Sequence, residues 1–244
     1  MWSTALPFRP LALAAALLLA PAAVLAAPAC QVPAGLTPAP VERVPPSQVQ
    51  RGVVTAYHLL ALSWSPEWCR TNGQGTATAQ HLQCEQPRGF ILHGLWPNGS
   101  APPYPRYCNP VGRLPAAVVK DMICRTPSAE LLQHEWQAHG ACGWTDPAIY
   151  FGQASRLYDR IVIPRIENIP QGRLTAGAVR QAFHRANPWM TPDKLFVAVD
   201  KGGRLTEVRV CYDLKFQPTS CPNGTGTPNR IAVRLTPSSP ARRF

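Results

Sequence analysis

Two short strings hold three of the chain's six histidines: HGLWP at 93–97 and HEWQAHGAC at 134–142. If the second string is helical, Glu135 and His139 stand four residues apart on one face, where a carboxylate can orient and charge-stabilise an imidazole. His134 lies about 100° round such a helix and borders the same site. His93 must come from another element. Two histidines on separate elements suit a displacement at phosphorus, in which a neutral imidazole takes a proton and a charged one gives a proton. With an ordinary pKa near 6.5, histidine does both close to neutrality. A zinc-protease helix instead spells HExxH, with its histidines four apart. Here His134 and His139 are five apart and would diverge by about 140° on a helix, so no metal and no other cofactor is expected. His58 and His184 sit in apolar and amphipathic stretches and read as structural, while His81 falls in a polar loop.

The elements that must position these groups follow from periodicity and punctuation. GFILHGLWP, 89–97, reads as a short apolar strand broken by Gly94 and ended by Pro97, delivering His93 at a strand end. An earlier buried strand spans 53–64 and stops at Ser65-Pro66, and 70–88 is a polar loop. Helices are predicted over 115–124, over 127–140 with Thr126 as N-cap, over 147–167 after Asp146-Pro147, and over 176–186 after Thr175. Strands return at 194–200, 204–214 and 230–235, the first two joined by the turn Lys201-Gly202-Gly203. Strands at both ends with helices between them predict an α+β fold. It would be one disulfide-stabilised domain, a central antiparallel sheet flanked by helices, with the two strings meeting where a helix packs on the sheet.

Composition bounds the rest. Positions 1–26 carry one charge, Arg9, then an apolar run from Leu11 to Leu25 and a small-residue end, which reads as a signal peptide cleaved before Ala27. That run is too short for a comfortable membrane span, and no later segment offers one. Residues 27–50, with six prolines, form a Pro-rich lead-in, leaving 51–244 as the catalytic domain. Eight cysteines in an exported chain read as four disulfides. Local spacing suggests Cys69 with Cys84 and Cys211 with Cys221. Cys108 with Cys142 would staple the region after HGLWP to the end of the second string, and elimination leaves Cys30 with Cys124. The formal net charge of +11, about +10 without the signal, favours a polyanionic partner. The basic residues are dispersed, so charge does not locate that partner.

HGLWP and HEWQAHGAC resemble the two active-site segments of the T2 family of ribonucleases. ALSWSPEWC at 61–69 is similar to that family's first core strand, and Cys108 and Cys142 stand where it places cysteines. The resemblance covers 53–235. It implies His139 as general base on the ribose 2'-hydroxyl, His93 as general acid to the leaving 5'-oxygen, His134 on the phosphate, and Glu135 supporting the transition state or its neighbouring histidine. The product would be a 2',3'-cyclic phosphate, formed without metal and only from RNA, so DNA should be inert. Trp96 and Tyr104 resemble the family's base-stacking aromatics, and Asn98 sits where some members carry an aspartate in the base site.

One departure stands inside the second string. Where the family usually has lysine, this chain has Ala138, and the missing charge could cost tenfold or more in rate unless Lys120 or Arg125, close in sequence, takes over. On that view Ala138→Lys should raise turnover. With the signal peptide, the resemblance leads to the expectation of a secreted or periplasmic, monomeric endoribonuclease acting on RNA. The rivals are a non-catalytic RNA-binding or toxin-like protein on a decayed ribonuclease fold, and a zinc hydrolase.

Overall fold

The computed structural model describes residues 1–2, 30–73, 82–84 and 89–238. The chain falls into two compact units, Met1–Cys30 and Gln31–Phe244, and the first holds only Met1, Trp2 and Cys30 among the described residues. The expected signal peptide at 1–26 therefore lies, those first two residues apart, outside the described residues, as does His81.

The second unit is an α+β fold built on four antiparallel strands: β1 Tyr57–Trp64, β2 Phe90–Asn98, β3 Leu195–Val199 and β4 Leu205–Tyr212, in the order β2-β1-β4-β3. Among the described residues five α-helices accompany them: α1 Ser65–Asn72, α2 Ala116–Met122, α3 Ala129–Ala138, α4 Pro147–Asp159 and α5 Ala176–Ala186. Alternation along the strands sorts residues to two faces. One face is apolar: Leu60 and Leu62 of β1, Leu92 and Leu95 of β2 and Val208 and Val210 of β4 join Leu132 and Trp136 of α3 in the main core. The other face carries chemistry. Ser63 pairs with Glu207, Ala61 with Arg209, Arg209 with Phe196 and Leu59 with Trp96.

β2 lies at the sheet edge, where unpaired backbone groups need cover. The buried Tyr150 hydroxyl of α4 supplies some, donating to Leu95 O at 3.1 Å and accepting from Leu95 N–H at 3.3 Å. Leu92 N–H donates to Arg125 O at 3.0 Å, and Thr126 Oγ1 donates to Leu92 O at 2.7 Å. With its hydroxyl so engaged, Thr126 does not cap α3. Ser128 does, accepting from Leu131 N–H at 3.1 Å.

Other elements also differ from the sequence reading. Ser65-Pro66 starts α1 rather than merely ending β1, because proline is tolerated in a first helical turn. α4 stops at Asp159 instead of 167: Pro164 cannot continue it, and the Asn187 side chain accepts from Val162 N–H and donates to Val162 O, both at 2.8 Å. Residues 230–235 form no strand. Their pairing is limited to isolated bridges, Thr175 with Ala232 and Arg204 with Arg234, while Val233 is buried in the main core. The β3–β4 hairpin and the caps Asp146 and Thr175 stand as expected. Disulfides join Cys69–Cys84, Cys108–Cys142 and Cys211–Cys221, and Cys30 and Cys124 are also disulfide-bonded. Among the described residues no helix is long and apolar enough to cross a membrane.

Candidate active site

His93 is not delivered at a strand end but at a bulge inside β2. The β1 partners step from Ala61 opposite Gly94 to Leu62 opposite Leu92, which leaves His93 without an opposite residue. A bulge of this kind re-aims a side chain. The imidazole turns to the polar face, where Nδ1 lies 2.8 Å from both Glu207 Oε1 and Ser63 Oγ. Ser63 Oγ donates to the same Glu207 oxygen at 3.2 Å. On the other side of the ring, Nε2 is 3.3 Å from Glu135 Oε1.

Glu135 arrives from α3 and is buried. The two strings interlock here through a glycine: a Cβ on Gly94 would stand 1.8 Å from Glu135 Oε2, so only glycine leaves room for the carboxylate against the strand. Trp96 Nε1–H donates to that oxygen at 2.7 Å. Gly140 has a similar role in the second string, since a Cβ there would come within 2.5 Å of Trp136 and 2.8 Å of Tyr150.

α3 ends at Ala138, not at 140. His139 takes φ −127° and ψ −50° as C-cap while its N–H still donates to Glu135 O at 3.1 Å. Leaving the helix there changes the geometry expected from helical spacing. His134 and His139 converge, their ring centroids 6.4 Å apart, and each of His134, Glu135 and His139 places a polar atom within 4.8 Å of the other two. The trio offers three ligand atoms to an ion, so angular divergence no longer argues against metal. Two of its members are engaged elsewhere, Glu135 with Trp96 and His93, and His134 with Glu42, whose carboxylate oxygens lie 2.9 and 3.1 Å from His134 Nδ1.

The surroundings drive the two outer imidazoles apart in proton affinity. Burial disfavours the charged form of His93, but Glu135 and Glu207 outweigh it and push its pKa up to about 10. His139 goes the other way. Burial, aided by the nearby Arg106 charge and opposed by Glu135, pushes it down to about 4, and its buried Nδ1 has no hydrogen-bond partner among the described residues. Glu135 is held below the usual carboxylate range: burial raises it, but His139, His93 and His134 around it prevail. Near neutrality the site thus pairs a charged His93 with a neutral His139 across a buried carboxylate.

Several of these partners were invisible in the sequence. Glu207 and Arg209 look like an ordinary solvent face of a strand, yet Arg209 is bonded to Glu207 at 2.7 Å and its guanidinium carbon sits 4.7 Å from the Trp96 ring centroid. Trp96 is also near His139, with ring centroids 5.2 Å apart. Trp96 therefore belongs to the histidine cluster as well as being a candidate base platform. Asn98 is buried and donates to Trp96 O at 3.0 Å. Tyr104 is exposed, and its hydroxyl accepts from Asn223 Nδ2 at 3.2 Å, an amide that also donates to Tyr57 Oη at 3.1 Å. Neither cation suggested by sequence proximity is engaged with the site: Arg125 binds Asp159 at 2.7 Å, and Lys120 is exposed on α2. Arg209 instead lies against Trp96, and Arg106, which donates to the Tyr107 hydroxyl at 3.4 Å, adds positive charge near His139.

Comparison with known proteins follows the same residues. The sequence model of the Ribonuclease T2 family matches residues 55–221. A probable ribonuclease of Haemophilus influenzae is 28% identical over 176 residues, 68% of this chain and 60% of its own length. A ribonuclease of Aeromonas hydrophila is 41% identical over 86 residues, 35% and 37% of the two chains. The chain thus spans less than two thirds of either relative. Among solved structures, an RNase-related protein from Calystegia sepium superposes with TM-score 0.57 at 20% identity, covering 73% of this chain and 97% of that one. The SF11-RNase associated with self-incompatibility in Nicotiana alata gives 0.55, also at 20%, covering 74% and 100%. At such identities the likeness is one of fold.

Proposed function

The chain belongs to the Ribonuclease T2 family, and on that premise we propose that it is an exported endoribonuclease that cleaves single-stranded RNA by transphosphorylation without a metal. The observation that carries this reading is the opposed protonation of His93 and His139 around Glu135. In this mechanism His139, neutral, takes the proton from a ribose 2'-hydroxyl. The 2'-oxygen forms its bond to phosphorus as the bond to the 5'-oxygen breaks, and His93, charged, gives its proton to that leaving oxygen. A 2',3'-cyclic phosphate and a 5'-hydroxyl result. Water can then open the ring with the two histidine roles exchanged.

His134 binds the phosphate, and Glu135 balances the charge that passes between the imidazoles. Trp96, Asn98 and Tyr104 form the base site, Asn98 through its buried amide and Tyr104 through its exposed ring. The basic charge of the whole chain draws a polyanion toward them. The oxidised cysteines support a secreted or periplasmic location, and the working unit is a monomer.

The test is to incubate the purified protein with RNA and with DNA, each with and without EDTA. Cleavage of RNA alone, unaffected by EDTA and leaving cyclic phosphate ends, is the expected result. Binding of RNA without cleavage would replace this reading with the non-catalytic one, and loss of cleavage in EDTA would give the trio His134, Glu135 and His139 to a metal.

A further inference from the structure

The family match begins at residue 55, yet the segment before it is built into the site. Leu36 and Ala39 are buried in the main core. Glu42 N–H donates to Gln137 Oε1 at 2.8 Å, and Gln137 Nε2 donates back to Glu42 O at 3.2 Å. Further on, Gln50 and Arg106 exchange backbone hydrogen bonds of 2.8 and 3.3 Å. Gln137 lies on α3 between His134 and Ala138, so this arm is anchored beside the histidine cluster. Its anchors are backbone groups and apolar side chains, which leaves the Glu42 side chain free for another task. That carboxylate reaches His134 Nδ1 at 2.9 and 3.1 Å, with the Tyr107 hydroxyl 3.5 Å from Glu42 Oε2 and 3.4 Å from the same ring nitrogen.

We propose that Glu42 is a positioning residue for phosphate recognition by His134. A carboxylate has only acceptors, so the Nδ1 it meets must carry the proton. The tautomer and ring orientation are thereby set, and Nε2 is left as the polar atom available to the cluster shared with Glu135 and His139. In the phosphate complex both ring nitrogens then donate, Nδ1–H to the Glu42 carboxylate and Nε2–H to a phosphate oxygen. Ala138, the residue after Gln137 on α3, supplies no charge there. Glu42 thus belongs to the site although it stands outside the matched family segment.

The inference rests on the ribonuclease reading for its substrate, and its test separates the two. Glu42→Gln keeps an acceptor for Nδ1–H and removes the charge; Glu42→Ala removes both. With a dinucleoside phosphate, kcat/KM should fall about tenfold in the alanine variant, mostly through KM, and less in the glutamine variant. Inorganic phosphate should weaken as a ligand by a similar factor. Imidazole nitrogen shifts of His134 should report the Nδ1–H tautomer in the unmodified protein and a mixture in Glu42→Ala. Because the arm's anchors are untouched, the thermal midpoint should stay within a few degrees. A rise in kcat/KM with tighter phosphate binding would overturn the proposal by making Glu42 a competitor of the substrate, and unchanged kinetics with an unchanged tautomer would overturn it outright. If the unmodified protein proves inactive on RNA, the ribonuclease reading fails, while phosphate binding and the tautomer still decide the role of Glu42.

Discussion

His93 and His139 are the same side chain placed in opposite electrostatic settings, two carboxylates at His93 and burial at His139. Glu207 touches His93 Nδ1 at 2.8 Å, whereas His139 Nδ1 is buried without a partner among the described residues. The pH dependence of kcat/KM should therefore rise through about 4, as His139 loses its proton, and fall through about 10, as His93 loses its own. Glu207→Gln removes one of the charges that hold the His93 proton. The alkaline limb should move down by about one to two pH units with the acid limb in place. An unmoved alkaline limb would take His93 out of the acid role. Ala138 leads to a revised expectation. It is fully buried, so Ala138→Lys would force a long charged stem into a packed position and should cost about 1–3 kcal/mol in chemical denaturation without raising turnover. The histidines and Glu135 were legible as types at a spacing, but Glu207, Ser63, Glu42 and Tyr107 were not. The sheet brings Ser63 and Glu207 to the two strings, while Glu42 and Tyr107 come to α3 from outside the sheet through backbone hydrogen bonds to Gln137 and Ala138.

At the scale of elements, the site is made by two interruptions of regular structure, the bulge at His93 and the end of α3 at Ala138. Periodicity reveals regular elements, and interruptions break it. α5 was readable to the residue because Thr175 caps it and its amphipathic pattern runs without a break. The convergence of His134 and His139 was unreadable, because it depends on where α3 stops. The bulge makes a prediction of its own. Gly94→Ala would put a methyl group 1.8 Å from Glu135 Oε2, so the carboxylate must leave His93 and Trp96. Turnover should drop by about a hundredfold or more, with a cost of about 1–3 kcal/mol in stability. Retained activity in that variant would mean that the Glu135 contacts are dispensable. The edge of β2 depends on α4 in the same local way. Tyr150→Phe deletes the hydroxyl that serves both Leu95 N–H and Leu95 O. Two buried backbone groups lose a partner, and urea denaturation should show a loss of about 1–3 kcal/mol with little change in KM.

For the whole molecule, the histidine cluster is also a stability element with a definite pH optimum. His93 has a folded pKa above its ordinary 6.5, so its contribution is complete below 6.5 and is lost as pH rises through about 10. His139 has a folded pKa below 6.5, so its neutral burial is without cost above 6.5, and stability is lost as pH falls through about 4. Glu207, held down to about 2 by His93 and Arg209 against its burial, contributes fully above its ordinary 4.5 and is lost only in stronger acid. The site's contributions therefore overlap best near pH 6.5. A fall in the His139 pKa from 6.5 to about 4 corresponds to roughly 3 kcal/mol between those limits. Denaturant midpoints should pass through a maximum near pH 6.5, with the slope against denaturant unchanged. His139→Gln should flatten the acid side of that curve, and His93→Gln should flatten the alkaline side while also releasing Glu207 in stronger acid. If neither variant altered its own side, the opposed protonation of the two imidazoles would have no support in the free energy of folding, and the acid and base roles built on it would fall with it.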